Sequence, residues 1–173
     1  MVANQPLRST GFAGAVHRGA EGWALLGGLI LLAVVGANIL SVIGKPLGIS
    51  FAGDFELTEM GVAVAAFAFL PYCQITRANV TADIFTSGVS PRVMAFLNFA
   101  GAFVALAFSI ILLWRMFLGM QEQKTYGYAT TILQIPQWLA FVLILLSLGL
   151  LMLTSLISAM EEWKKAKQGA KHV

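Results

Sequence analysis

Four long stretches of this chain carry no charged side chain: the 23 residues between Glu21 and Lys45, the 17 between Glu59 and Arg77, the 22 between Arg92 and Arg115, and the 36 between Lys124 and Glu161. An α-helix rises about 1.5 Å per residue, so roughly 20 apolar residues cross a hydrocarbon core about 30 Å thick. Four crossings use up most of the 173 residues. The sequence therefore predicts an all-α integral membrane protein with four transmembrane helices, over about 22–43, 55–76, 92–118 and 136–160. An N-terminal segment, 1–21, precedes the four-helix membrane domain, 22–163, and a basic tail, 164–173, follows it.

Composition narrows the function classes. Charged residues make up 11% of the chain, against about 25% in soluble domains, and mean hydropathy is +0.82. The formal charge of +3 does not come from a massed basic patch, so nucleic acid is not an expected partner. Cys73 is the single cysteine, which excludes an intramolecular disulfide and a cysteine-based metal cluster. His17 and His172 both lie outside the apolar stretches and offer no haem ligand pair within a bilayer. No cofactor is expected. Arg8 and Arg18 precede the first apolar run as in a secretory signal, but a signal core spans about 7 to 15 residues and this run is longer, so it reads as a retained first helix.

Basic residues accumulate on the cytoplasmic side of membrane proteins. Arg8, Arg18, Arg77, Arg92, Lys164, Lys165, Lys167 and Lys171 fall on one side of the predicted helices, and Lys45 and Lys124 in the opposite loops. Arg115 departs from the pattern, with a side chain long enough to reach outward. Both termini are expected in the cytoplasm. Trp23, Trp114, Trp138 and Trp163 fall near predicted helix ends, two on each side, as interfacial tryptophans do.

Few residues are candidates for chemistry. Glu59 is the deepest carboxylate, about 7 Å along the second helix if that helix starts near Asp54. It reads as an interfacial or subunit-contacting group, with proton or cation coupling as the sharper alternative. Asp54 is placed to cap the second helix, and Glu56 and Glu59 in its first turns suit the positive end of the helix dipole. Asn38 and Asn98 call for hydrogen-bond partners inside the bilayer. Ala33 and Ala37, Gly61, Ala65 and Ala68, and Gly101 and Ala105 are small residues at helical spacing, which let backbones approach closely, within the chain or against another subunit. Pro71 removes a hydrogen bond within the second helix, and Pro136 is expected to open the fourth. The chain shows no phosphate loop, no Ser/His/Asp constellation and no row of buried charges, so an enzyme is not expected.

Two segments carry a family pattern. One is the acidic opening of the second helix followed at its exit by Arg77-Ala78-Asn79-Val80-Thr81-Ala82-Asp83. The other is Thr130-Thr131-Ile132-Leu133-Gln134-Ile135-Pro136-Gln137-Trp138. Together they resemble the small membrane subunit of tripartite ATP-independent periplasmic (TRAP) transporters, over about residues 20–163. Asn79 stands where many relatives carry histidine, and Thr81 where valine is common. The resemblance implies a small permease subunit in a bacterial inner membrane, packed beside the scaffold of a large membrane subunit. That subunit carries the substrate and sodium sites, and a periplasmic substrate-binding protein delivers an organic acid. It puts Arg77, Asn79, Asp83, Pro136 and Trp138 among the candidate structural or subunit-contacting residues, beside Asn38, Glu59, Gly61 and Ala65. Lys45, Glu122 and Lys124 in the outward loops are the candidate docking residues for the binding protein. The short tail ending at Val173 suggests a chain not fused to its large partner.

A second reading is an autonomous small proton-coupled exporter, working as a homodimer through Glu59. A third, a four-helix glutathione-dependent transferase, lacks an arginine-rich cofactor site in this sequence.

Overall fold

The computed structural model describes residues 11–48, 52–76 and 91–169, without the side chains of residues 12–13, 91–99 and 161–169. Helix α1 runs Phe12–Gly44 and leads into a single 3₁₀ turn, Lys45–Leu47. Helices α2 (Asp54–Thr76), α3 (Pro91–Tyr126) and α4 (Trp138–Gly169) follow. Each holds a segment long and apolar enough to cross a membrane. Large apolar side chains also cover their outer faces, among them Leu25, Leu32 and Leu40 on α1 and Phe103, Phe108 and Ile111 on α3. A soluble helix would hide such a stripe and be polar elsewhere; apolar residues all round belong in lipid or between subunits.

Three helices differ in extent from the sequence expectation. Helix α1 begins ten residues earlier than 22, because Val16, Ala20 and Ala24 continue its buried face at a four-residue spacing. Helix α3 continues past 118 to Tyr126, since Met120, Gln121, Glu122, Gln123 and Lys124 are good helix formers whose polarity ends an apolar span without ending a helix. It stops at Gly127, whose φ of 65° is the left-handed conformation glycine adopts freely. The Tyr128 amide then donates to the Gln123 carbonyl at 3.1 Å, closing a Schellman cap. Helix α4 starts at Trp138 rather than Pro136. Pro136 instead forms an antiparallel bridge with Ala129, and its carbonyl accepts the Leu139 amide at 3.1 Å.

The helices pack in the order α1, α2, α4, α3, with only minor contact between α1 and α4. Among the described residues α3 packs substantially on α4 alone. The core lies between the two inner helices, where Val64, Ile144 and Leu148 are buried with Phe67, Leu112 and Met116 against them. Burial follows this order: 28% of the apolar window of α4 is enclosed, against 6% for α3. Helix α2 passes through the buried Pro71 without interruption.

Small residues set the α1–α2 spacing. A Cβ built on Gly27 would lie 2.8 Å from that of Ala68, and one on Gly61 would collide with the Val34 side chain. Ala65 is fully buried at the same contact. Across the layer, the Trp23 indole N–H donates to the Ser147 hydroxyl at 2.8 Å. Because α1 extends back to Phe12, Trp23 lies well inside its helix, and its polar atom bonds to a neighbouring helix.

Candidate functional site

The C-terminal ends of α1 and α3 and the N-terminal ends of α2 and α4 meet at one end of the layer, together with the described residues before α2, among them Gly53, and the connection 127–137. Residues 128–137 double back as a small hairpin. The Gln137 amide donates to the Tyr128 carbonyl at 3.0 Å, and the Thr130 amide to the Ile135 carbonyl at 3.0 Å. The Ile135 amide returns to the Thr130 hydroxyl at 3.0 Å. Four residues, Thr131 to Gln134, form the tip, a common hairpin length. Gln134 takes a left-handed φ of 54°, and its side-chain amide donates to the Thr131 carbonyl at 3.0 Å.

The tip leaves two successive amides, those of Ile132 and Leu133, pointing the same way, and such a pair is a small anion site. Glu56 supplies the anion. Its Oε1 accepts the Ile132 amide at 2.7 Å and its Oε2 the Leu133 amide at 2.9 Å. The Leu133 side chain in turn rests on Gly53, where a Cβ would lie 2.6 Å from the leucine Cγ. Gly53 also has a φ of 113°, so the position excludes side chains on two counts. The hairpin tip and the entry of α2 are thus joined twice, by a carboxylate on two tip amides and by a leucine against glycine.

Beneath the clasp a polar chain joins α1 to α2. The Asn38 side-chain amide donates to the Thr58 hydroxyl at 2.7 Å and to the Val34 carbonyl at 2.9 Å. Thr58 donates in turn to the Asp54 carbonyl at 2.7 Å. The fully buried Ser41 hydroxyl donates to Asp54 Oδ2 at 2.6 Å, and the Phe55 amide to Oδ1 at 2.8 Å. The polar side chains at this helix entry, costly to leave unpaired in an apolar surrounding, thus partner one another and the backbone.

The sequence-predicted residues divide clearly. Asn38 is in the polar chain, and Gly61 and Ala65 are in the α1–α2 contact. Lys124 and Trp138 are brought together, the ammonium 5.9 Å from the centre of the indole ring, an attractive cation–π arrangement. Pro136 borders the hairpin. Lys45 is exposed in the 3₁₀ turn. Glu122 is exposed beside a hollow of about 340 Å³ with Arg115, Gly119, Thr125 and Tyr126. Glu59 is exposed, one and a half turns into α2, and joins neither network. Arg77, Asn79 and Asp83 lie outside the described residues, as does the side chain of Asn98. Sequence reasoning missed the role of Glu56, which the helix dipole alone does not distinguish from its acidic neighbours. An apolar groove of about 330 Å³ also opens between α1, α2 and α4, bordered by Val34, Ala37, Met60, Gly61, Ala140 and Leu143. Among the described residues no three His, Cys, Asp or Glu side chains gather to hold a metal ion.

The family model described as "Tripartite ATP-independent periplasmic transporters, DctQ component" matches residues 26–165, well over half of the chain. The chain belongs to the DctQ family of TRAP transporter components. No curated protein and no solved structure matches it. The match spans the Thr130–Trp138 segment, and the clasped hairpin is the shape that this segment takes. DctQ is a family of transporter components and not of enzymes. With four helices capable of crossing a bilayer among the described residues, this DctQ-family chain is a multi-pass membrane protein.

Proposed function

We propose that this chain is the small permease subunit of a TRAP-type secondary transporter, packed against the static scaffold of a large membrane subunit in a bacterial inner membrane. The complex takes up an organic acid, driven by sodium and supplied by a periplasmic substrate-binding protein. Both termini lie in the cytoplasm, which turns the clasped loop end to the periplasm. The family match over residues 26–165 carries this reading. The architecture supports it: an open layer with apolar outer helices suits a subunit that broadens a scaffold, against which a mobile transport domain slides. Glu59 faces outward at the edge of the apolar region, where a large-subunit partner would relieve the cost of an unpaired carboxylate. The binding protein docks at the loop end, with Lys45, Glu122 and Lys124 on the approach.

The test is affinity purification of the tagged chain from native membranes in mild detergent, with mass spectrometry of what accompanies it. A much larger polytopic membrane protein is expected in equal amount, and the pair should transport in liposomes only with sodium and the binding protein. A homo-oligomer that transports alone would overturn the reading. Charge reversal at Lys45, Glu122 and Lys124 that left affinity for the binding protein unchanged would count against docking through these charges.

A further inference from the structure

We infer that α2 and α4 hold a single buried water molecule between them, bound by the Ser155 hydroxyl and by the Phe67 carbonyl that Pro71 leaves without an amide. The inference is independent of the transporter reading and concerns a site within the apolar spans of the two inner helices.

The Ser155 hydroxyl is the exception among its neighbours. Ser109, Ser147, Thr154 and Ser155 are all buried. Three of them turn back on their own helices: Ser109 donates to the Leu106 carbonyl at 2.8 Å, Ser147 to that of Leu143 at 2.9 Å and Thr154 to that of Leu151 at 2.9 Å. A carbonyl has two lone pairs, and inside a helix one of them already takes an amide. Thr154 takes the second on Leu151, the carbonyl four residues before Ser155 and the usual acceptor for a serine at that position. Among the described residues Ser155 Oγ is thus left as a buried oxygen with no hydrogen-bond partner, a costly state in an apolar surrounding.

The complementary group lies on α2. Proline carries no N–H, so the carbonyl four residues before Pro71, that of Phe67, receives no helical hydrogen bond from it. Packing puts the two groups at one level. Glu56, near the start of α2, bonds to Ile132 and Leu133 shortly before α4 begins, so the two helices run in the same direction from that end. Val64 of α2 shares the core with Ile144 and Leu148 of α4, and Phe67 and Leu151 pack against them. Pro71 follows Val64 by seven residues, and Ser155 follows Leu148 by seven. Seven residues make two helical turns, about 10 Å along the axis and nearly the same face. Pro71 and Ser155 are therefore level on the faces that meet, and each is less than 2% exposed. The hydroxyl makes no direct bond to the carbonyl, so one ligand between them has to satisfy both. The apolar stretches of both helices carry no charged side chain, which selects a neutral ligand. Water donates to the carbonyl and accepts from the hydroxyl, and buried waters live on two to four such partners. Proline-interrupted membrane helices are restored by hydroxyl side chains and ordered water in the same way. The site gives the inner helices a polar tie remote from Glu56, about 22 Å further along α2.

The experiment uses the full chain in lipid nanodiscs and has two readouts. The first is a double-mutant cycle on melting temperature. Ser155→Ala in the native sequence strands the Phe67 carbonyl and should lower the melting temperature by about 2–4 °C, the shift of one net hydrogen bond in a chain of this length. Pro71→Ala gives that carbonyl its amide back, so adding Ser155→Ala to it should lower the temperature no further. The second readout is water-edited solid-state NMR, which follows magnetisation from water into nearby protein nuclei. Ser155 and Phe67 should receive it in the native sequence while Leu148 does not, and Ser155→Ala should abolish the signal at Phe67. Coupling without the water signal means a direct bond between hydroxyl and carbonyl and overturns the water. Equal effects of Ser155→Ala in both backgrounds overturn the pairing with the Phe67 carbonyl. Should Pro71→Ala fail to fold, the NMR signal decides alone: presence at both residues and loss in Ser155→Ala sustain the site, and absence overturns it.

Discussion

At the scale of single residues, the α1–α2 contact is decided by what is missing from Gly61. Its absent side chain is the space that Val34 fills, so Gly61→Ala should overpack the contact and cost about 1–3 kcal/mol, read as a lower melting temperature of the detergent-solubilised protein. Trp23 and Ser147 make a second test. Their hydrogen bond joins residues 124 positions apart in sequence, and a double-mutant cycle with Trp23→Phe and Ser147→Ala should return a coupling of about 0.6–2 kcal/mol. Zero coupling would mean that the indole finds another acceptor. The sequence put Trp23 near a helix end because it placed the helix start at 22; a tryptophan at the start of a helix and one in its interior look alike until the start is known. Glu56 was hidden for a different reason. Asp54, Glu56 and Glu59 stand within six residues, all suited to a helix N-terminus, and the partner that singles out Glu56 is a backbone amide 76 positions away.

At the scale of elements, the apolar spans were legible because a charge inside a bilayer is costly, so a charge-free apolar run of about 20 residues reads directly as a crossing. The ends of the helices were less so. The polar segment after Leu118 stops being a membrane span but not a helix, and only the cap at Gly127 marks the true end. The amides of Gln121 to Tyr126 should therefore be protected in hydrogen-exchange measurements, and exchange at the rate of an open loop would contradict the extension. The hairpin from Tyr128 to Gln137 was legible as a family pattern but not as a shape. No alternation of apolar and polar residues announces a strand pair this short, and two of its tip amides bond to a carboxylate from another helix.

At the scale of the whole molecule, the layer order places α2 and α4 inside and α1 and α3 at its edges, which no feature of the four hydrophobic runs distinguishes. The edges carry most of the unpartnered apolar surface, so polar substitutions such as Phe108→Asn on α3 or Leu32→Asn on α1 should reduce recovery of the large subunit in co-purification, on whichever edge it covers. Equivalent changes on both edges without effect would move the contact to the inner helices. The order of packing also has a consequence for synthesis. Helices α1 and α2 form their contact as soon as both have emerged from the ribosome, but α3 emerges next to neighbours on which it has no substantial packing among the described residues. Its substantial partner within this chain, α4, is the last helix to be made. A chain ending at Tyr126 would thus reach the membrane with one finished hairpin and one orphan helix, a ready target for quality-control proteolysis. The subunit becomes a single body only when its final quarter has been made.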